Sequence, residues 1–350
     1  MAIQIEFGNM LKLLSKIYGN VVDSKNRRYD NGSMEIVKCN VPVISVGNLT
    51  TGGTGKTPFV ILLANFLIES GLRPVIIGKG YLKKRSGYVL VSDGNFVVKD
   101  TDLAGDEMFL IAMKVKAPVV AHENKSEAAL IAEKHFSPDV IIIDDGFQHR
   151  RLHRDIDILL IDKKTLTEEY LLPSGRLREP LSSASRANIV IEIGKIEDDR
   201  ELKSYLTNNQ KVFTAEIAPE SLIGLNGKIV DDEGLKNIKE KVIAVSGIAN
   251  PERFENTLSS IGFNILKHIK FRDHKRYSQY IIEEILKVCK QSGINQIITT
   301  EKDYVKIQKY ISIFEKNKID CFILPIKIDI IENKSEFRDY LLSNITGFIR

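Results

Sequence analysis

Ser45-Val-Gly-Asn-Leu-Thr-Thr-Gly-Gly-Thr-Gly-Lys-Thr-Pro58 is the stretch whose reading decides the fold. The apolar residues 41–46 read as a buried strand running into it. After it, Phe59, Leu62, Leu63, Phe66 and Leu67 recur at helical spacing. Strand, glycine-rich turn and helix form the context of a phosphate-binding loop. Glycines let main-chain N–H groups converge on an anion, and a helix start adds a favourable dipole. The usual pattern, G-x-x-x-x-G-K-[ST], is met at Gly55-Lys56-Thr57, but Thr50 stands at its first glycine and Gly52 and Gly53 supply the flexibility instead. The expected phosphate ligands are Thr50, Thr51, Gly52, Gly53, Thr54, Gly55, Lys56 and Thr57. Lys56 would reach the outer phosphates and the Thr57 hydroxyl would meet Mg²⁺. A glycine turn that only joins strand to helix is the plainer alternative. The Lys-Thr pair, in phase with both neighbours, argues for a nucleoside triphosphate.

Working outward, apolar strands and amphipathic helices alternate. Residues 73–77 read as a strand entering Gly78-Lys79-Gly80-Tyr81. Residues 88–92 and 95–99 flank Asp93-Gly94 as a hairpin. Strands are expected at 118–121, 140–143, 158–161 and 187–193, and helices at 108–115 and 126–135. This alternation predicts an α/β fold whose core is a P-loop NTPase-like parallel sheet. Beyond residue 193 the character changes. Residues 194–235, with short strands at 211–217 and 227–230, read as a β-ribbon linker. Residues 236–350 read as a second, smaller α/β domain, with strands at 242–246, 264–268, 296–299 and 321–325 and helices at 251–260, 279–290 and 334–344. The core domain is expected over 31–193, preceded by a helix within 1–30.

At 350 residues, 43% hydrophobic and 27% charged, the chain has the composition of a soluble two-domain protein. A net charge of +4 is too weak to argue for nucleic acid and suits anionic substrates or a membrane surface. Cys39, Cys289 and Cys321 lack metal-type spacing and read as free thiols in a reducing compartment. Neither a secretory leader nor an apolar run long enough to span a bilayer is expected. Within residues 10–23, Leu11, Leu14, Ile17, Tyr18, Val21 and Val22 form one helical stripe. Lys12, Ser15, Lys16, Gly19, Asn20 and Asp23 form the other, and Arg27 and Arg28 follow. Such a helix can lie in a membrane interface, although packing on its own domain is the simpler reading of the pattern alone.

Asp144-Asp145 closes an apolar strand at the edge that faces ligands in open α/β sheets, where a carboxylate can hold Mg²⁺. Gln148 and His149 follow and would lie beside the site. Asp106, at a helix start, is either a cap or a general base. Arg176 and Arg178 in a Pro/Gly-rich loop could clamp a phosphate. Asp273-His274 is unremarkable alone. Thr300-Glu-Lys302-Asp303 superficially matches a guanine-reading element, but its Lys and Asp are adjacent, which argues against a GTPase.

Together these motifs resemble the tetraacyldisaccharide 4′-kinase family of lipid A biosynthesis. The matching pieces are Val46-Gly-Asn-Leu-Thr50, Gly52-Gly-Thr-Gly-Lys-Thr-Pro58, Gly80-Tyr81, Gly105-Asp-Glu107, Asp144-Asp-Gly-Phe-Gln-His149, Leu172-Pro-Ser-Gly175 and Leu177-Arg-Glu-Pro180. In the second half they are Gly247-Ile248, Pro251-Glu-Arg-Phe254, Asp273-His274 and Thr300-Glu-Lys-Asp303. The resemblance implies transfer of the ATP γ-phosphate, with Mg²⁺, to the 4′-hydroxyl of a tetraacylated glucosamine disaccharide 1-phosphate. It implies a P-loop core, a smaller C-terminal domain, a β-ribbon between them and a site in the cleft. It also implies a peripheral protein on the cytoplasmic face of the bacterial inner membrane, which gives the N-terminal helix a membrane role. By resemblance Asp106 and His274 are the acid–base pair, Asp144 and Asp145 the Mg²⁺ side, and Arg178 and Glu179 the Arg-Glu of their motif. Family members usually carry Ser-Arg-Gly-Tyr where this chain has Gly78-Lys79-Gly80-Tyr81, and an Arg near the position of Lys125. Lysine keeps the charge and loses the planar fork. The competing class is a P-loop ATPase acting as a regulatory or partitioning switch. Oligomeric state stays open, with a monomer the simpler expectation.

Overall fold

The computed structural model describes residues 2–81, 83, 86–98, 100–197, 200–225 and 227–347. Its strands are β1 (Val43–Asn48), β2 (Pro74–Gly78), β3 (Val89–Asp93), β4 (Pro118–Ala121), β5 (Val140–Asp144), β6 (Ile156–Asp162) and β7 (Ile189–Ile193). They continue with β8 (Lys211–Pro219), β9 (Ile223–Gly224), β10 (Val242–Ser246), β11 (Ile265–Lys270), β12 (Gln296–Thr300), β13 (Asp320–Leu324) and β14 (Ile326–Ile330). Nine strands form one sheet in the order β14-β8-β7-β6-β1-β5-β2-β4-β3, and five form a second in the order β11-β10-β12-β13-β9. The inner strands of the large sheet are parallel, and β3 and β14 are antiparallel edges. Strands β1, β2, β5 and β7 are buried along their whole length, as continuous apolar runs covered on both faces should be. The fold is the α/β class with a parallel P-loop-like core that the sequence predicts.

Position follows from register. Strand β1 lies between β5 and β6, and Val46 pairs with Asp144. The glycine-rich loop and the Asp144-Asp145 turn therefore leave the same edge side by side. Gly47 makes this possible: a Cβ there would lie 2.5 Å from the Cβ of Phe147.

The chain crosses between the sheets twice, and here the structure differs from the domain boundaries expected above. Strand β8 sits inside the large sheet, so residues 194–235 do not form a free-standing ribbon. After β13 the chain returns, and β14 pairs with β8 while the helix Lys334–Thr346 packs on the large core. The cause is apolar demand: β8 needs an edge partner, and Ile328, Ile330, Phe337, Leu341 and Ile345 are all buried in that core. Phe337 meets Phe213 edge-on at 5.3 Å. Residues 227–230 contribute only a bridge between Ile223 and Ile229. A helix, Asp232–Lys239, follows, capped by the Asp231 carboxylate accepting from the Gly234 N–H at 2.8 Å. The Asp93-Gly94 turn forms, with the Val98 N–H donating to the Val91 carbonyl at 2.9 Å, but the ladder partner of β3 is β4, and Lys99 lies outside the described residues.

The first helix spans Ala2–Asp30 and docks by an unexpected face. Ser15 and Gly19, expected on the polar stripe, are buried, whereas Leu14, Ile17 and Val21 face outward with Met10 and Leu13. The helix rests on the loop 171–179 rather than on an apolar sheet, and loop carbonyls ask for donors. The Ser15 hydroxyl donates to the Leu171 carbonyl at 2.8 Å and accepts from the Ser174 N–H at 2.9 Å. The Tyr18 hydroxyl donates to the Arg178 carbonyl at 3.0 Å. Gly19 fits because a Cβ there would lie 2.9 Å from a Leu171 methyl.

Candidate active site

The loop after β1 is shaped by backbone conformations that side chains resist. Gly52 has φ +133° and Gly55 has φ +92°, and a Cβ on Gly55 would lie 2.6 Å from Ile217. Gly55 is also the N-cap of the helix Lys56–Glu69 and offers no side-chain cap. Orphan N–H groups at that helix start are free to bind an anion. Asn48, the last residue of β1, braces the loop: its amide donates to the Thr54 hydroxyl at 2.8 Å. Thr50, at the usual first glycine, is buried, and its carbonyl accepts from the Arg178 Nε at 3.1 Å. Lys56 Nζ lies between Asn48 Oδ1 at 3.0 Å and Asp145 Oδ1 at 3.4 Å.

The two adjacent aspartates have opposite surroundings. Arg178 grips both oxygens of Asp145, at 2.8 and 2.9 Å, and Lys125 donates to its carbonyl. Burial pushes the Asp145 carboxyl up, but Lys56, Arg178 and Lys125 outweigh it and hold the group well below the usual carboxylate range. Asp145 also carries φ +53°, a strained conformation for a non-glycine residue. Asp144 is buried, and its Oδ1 has no hydrogen-bond partner among the described residues. Burial, then the charges of Glu107 and Asp145, push its carboxyl up to about 7. A buried oxygen without a partner asks for a cation. Mg²⁺ fits this donor set, because it is usually held by one or two carboxylates plus substrate phosphates rather than by an all-protein cage.

Gln148 and His149 stand beside this pair. The Gln148 amide donates to the Asn48 carbonyl at 2.9 Å, leaving its buried Oε1 without a partner among the described residues. His149 Nε2 meets the Ser126 hydroxyl at 3.2 Å, and burial with Lys125 and Arg154 pushes the ring down to about 4. It is therefore neutral at physiological pH. Lys125 is buried, and burial lowers its pKa. Lys79 is exposed. Glu179 is elsewhere: buried, it accepts from Asn26 at 2.8 Å and pairs with Arg186 at 2.9 Å, fastening the first helix rather than lining the cleft.

Across the cleft, the start of the helix Asp106–Lys114 meets the second sheet. Gly80 and Gly105 let two backbones cross, since a Cβ on Gly105 would lie 2.7 Å from the Gly80 carbonyl carbon and the Tyr81 oxygen. That crossing sets Tyr81 against the His274 ring, centroids 4.3 Å apart, and Asp106 under it. His274 Nδ1 lies 3.0 and 3.2 Å from the two Asp106 oxygens, across 168 residues of sequence. Burial raises the Asp106 carboxyl, but the His274 hydrogen bond, Lys302 and Lys306 bring it below its ordinary value. Asp106 is thus an anion, standing behind His274 and 8% exposed.

The phosphate loop, Lys56, Asp145 and Arg178 open on one cleft of about 860 Å³ with Glu107, His274 and Lys302 on its far wall. The sequence singles out no role for Asn48, Glu107 or Lys302. Lys302 Nζ donates to Glu107 Oε1 at 3.0 Å and so joins the second sheet to the first. The neighbouring Asp303 is structural: buried, it accepts from the Gly247 N–H at 2.8 Å and the Thr300 hydroxyl at 2.7 Å. The signal is the Thr-Glu-Lys-Asp run after an apolar strand, in which Thr300 and Asp303 cap the helix and leave Lys302 to reach Glu107.

The sequence profile of one family, described as tetraacyldisaccharide-1-P 4′-kinase, matches residues 7–346. The tetraacyldisaccharide 4′-kinase of Chlorobaculum parvum is 34% identical over 344 residues, covering 95% of this chain and 94% of the relative. That of Aquifex aeolicus is 37% identical over 307 residues, covering 87% and 91%. The crystal structure of the Aquifex aeolicus LpxK protein in complex with ATP superposes with a TM-score of 0.77 at 33% identity, covering 97% of this chain and 99% of that one.

Proposed function

The chain belongs to the tetraacyldisaccharide 4′-kinase family of lipid A biosynthesis, and from that premise we propose how its cleft divides the labour of phosphoryl transfer. It is an ATP-using kinase, and its acceptor is the 4′-hydroxyl of the tetraacyldisaccharide 1-phosphate. Phosphoryl transfer asks a protein mainly for positioning and for charge neutralisation.

In this reading the main chain of Gly52–Lys56 cradles the β- and γ-phosphates. Lys56 swings from Asp145 to the leaving charge, and Arg178 stays locked on Asp145 within reach of a phosphate oxygen. Thr57 and Asp144 would hold Mg²⁺, with Asp145, which opens on the cleft, as the anchor for Lys56 and Arg178. Bound there, Mg²⁺ would offset charge on the phosphate oxygens. Asp106 and His274 act together as the acid–base pair for the sugar hydroxyl proton, with His274 on the cleft wall and Asp106 behind it. Such proton transfer typically contributes about 10²–10⁴-fold. The observation that carries this reading is the Asp106–His274 contact, whose His274 lines the cleft opposite the phosphate loop. Labelled γ-phosphate offered with a detergent-solubilised lipid disaccharide should appear on the lipid, and Lys56→Ala should lose nearly all of it. Release only as free phosphate would support the ATPase switch.

The lipid must be met at a membrane. Among the described residues no helix is long and apolar enough to cross one. We propose peripheral binding at the cytoplasmic face of the inner membrane through the outward stripe Met10, Leu13, Leu14, Ile17 and Val21. Leu13, Ile17 and Val21 are more than half exposed, and Lys12, Lys16, Lys25, Arg27 and Arg28 are exposed beside them. Apolar residues flanked by cations suit an anionic lipid surface. The double variant Ile17→Asp, Val21→Asp should lose binding to anionic vesicles and keep turnover on detergent-solubilised acceptor. Unchanged vesicle binding would leave the stripe without that role.

A further inference from the structure

Between residues 10 and 28 the first helix covers only Leu11, Ser15, Tyr18, Gly19, Val22 and Asn26, which are spaced to share one side of it. That side lies on the segment 171–179. The Ser15 hydroxyl donates to the Leu171 carbonyl at 2.8 Å and accepts from the Ser174 N–H at 2.9 Å. The Tyr18 hydroxyl donates to the Arg178 carbonyl at 3.0 Å, and the Asn26 amide donates to Glu179 at 2.8 Å.

The other side of the same segment lies on the phosphate loop. The Arg176 carbonyl accepts from the Thr51 N–H at 2.8 Å, and the Arg176 guanidinium returns to the Thr51 carbonyl at 3.1 and 3.2 Å. The Arg178 N–H donates to the Leu49 carbonyl at 2.7 Å, its Nε donates to the Thr50 carbonyl at 3.1 Å, and its guanidinium grips Asp145. Leu177 meets Thr50 as an isolated bridge rather than in a strand. A segment without a ladder must find partners for its main chain elsewhere. Here the helix supplies one set and the phosphate loop the other. Arg178 is where they meet: its carbonyl is held from the helix, while its N–H and guanidinium hold the loop.

Resting on the phosphate-loop reading of residues 52–57, we infer that Tyr18 is a positioning residue. From the first helix it fixes the main chain at Arg178, and through Arg178 it sets the shape of the loop that receives ATP. A loop shaped before the nucleotide arrives serves ground state and transition state alike, so its loss falls on binding rather than on the chemical step. The inward face of the helix thus serves the nucleotide, whatever surface the outward stripe meets.

The test is equilibrium binding of a non-hydrolysable ATP analogue to the full-length enzyme, with steady-state kinetics on the detergent-solubilised acceptor. Tyr18→Phe removes one hydroxyl and keeps the ring. It should weaken the analogue about three- to tenfold and raise the KM for ATP in step. Its kcat and its KM for the lipid should stay within about twofold. Ser15→Ala, which releases residues 171 and 174, should shift ATP in the same direction. Arg178→Lys keeps the cation and loses the planar fork. In that background Tyr18→Phe should add less than about twofold, because its route is already cut. ATP affinity unchanged in both Tyr18→Phe and Ser15→Ala would overturn the inference, and so would a Tyr18→Phe loss that multiplies in full with that of Arg178→Lys. Either result leaves the phosphate-loop reading intact as long as Lys56→Ala loses the analogue. Lys56→Ala binding the analogue as wild type does would instead overturn that reading, and a Tyr18→Phe loss absorbed by Arg178→Lys would still uphold the hold on Arg178.

Discussion

Asp144 ends a parallel strand beside the phosphate loop, whereas Asp106 starts a helix behind the histidine of the second unit. Both are buried, and burial alone would raise both. Asp106 meets a hydrogen-bonding imidazole and two lysines and is an anion. Asp144 meets Glu107 and Asp145, which with burial outweigh Lys56 and Lys125, and it keeps an oxygen without a partner among the described residues. The dyad side of the cleft is thus assembled and neutralised before any ligand arrives. The phosphate side holds an unmet demand for positive charge, and binding there supplies what the protein lacks.

The sharpest way to break this comparison is Asp106→Asn, the largest expected effect of the three that follow. An amide keeps the shape and removes the carboxylate that pairs with His274, so kcat should fall by about 10²–10⁴-fold. The KM for ATP should hold, because no nucleotide contact is removed. Steady-state kinetics with varied ATP and varied lipid would separate the two. A rise in the KM for ATP alone would move Asp106 to the nucleotide side and dissolve the division of labour.

The two sides also differed in how far they could be read from the chain. The phosphate side is local: strand, glycines, Lys56 and Thr57 lie within a few residues, and Asp144 ends an apolar strand. The dyad is non-local. No spacing links Asp106 to His274, and only the family resemblance paired them. Lys302 was visible as part of an unusual run but was weighed against a guanine-reading element, because its real partner, Glu107, lies 195 residues away. The first helix misled for a different reason. An apolar stripe normally marks the packed face, but here the contact is a loop whose main-chain groups need partners, so Ser15 and Gly19 face inward. The return of β14 and the last helix was equally hidden, since IKIDI and its following helix suit either sheet. What decides is the open edge of β8, a property of the assembled sheet.

A middle-sized effect is expected at the crossing that holds the dyad in place. Gly105 has φ +78°, and its Cβ would run into Gly80 and the Tyr81 carbonyl, both backbone. Gly105→Ala cannot be relieved by a side-chain turn, so about 1–3 kcal/mol of stability should be lost. The displaced backbone carries Asp106 on one side and Tyr81 on the other. Chemical denaturation would report the first loss, and kcat should fall with nucleotide binding preserved. A variant as stable and active as wild type would mean that the crossing does not position the pair.

The smallest effect sharpens the contrast on the phosphate side, through pH. The Asp144 carboxyl is raised to about 7 from an ordinary 3.8. A raised group favours the folded state below the unfolded value, and that contribution is lost as pH rises through the folded one. Between about pH 4 and pH 7 the unfolded chain therefore releases this proton first, and stability without ligand should decline. Asp144→Asn has no proton to lose. Its melting temperature, measured without divalent ions, should gain on wild type as pH rises from 5.5 to 8, by the few degrees that a difference on the order of 1 kcal/mol makes. Mg²⁺ with ATP should stabilise wild type more at pH 8 than at pH 6, because it competes with the proton for the same oxygen, and it should do so weakly in Asp144→Asn. Parallel melting curves at every pH would place the unmet charge elsewhere, and Glu107, the first of the neighbouring anions that raise Asp144, would be the residue to exchange next.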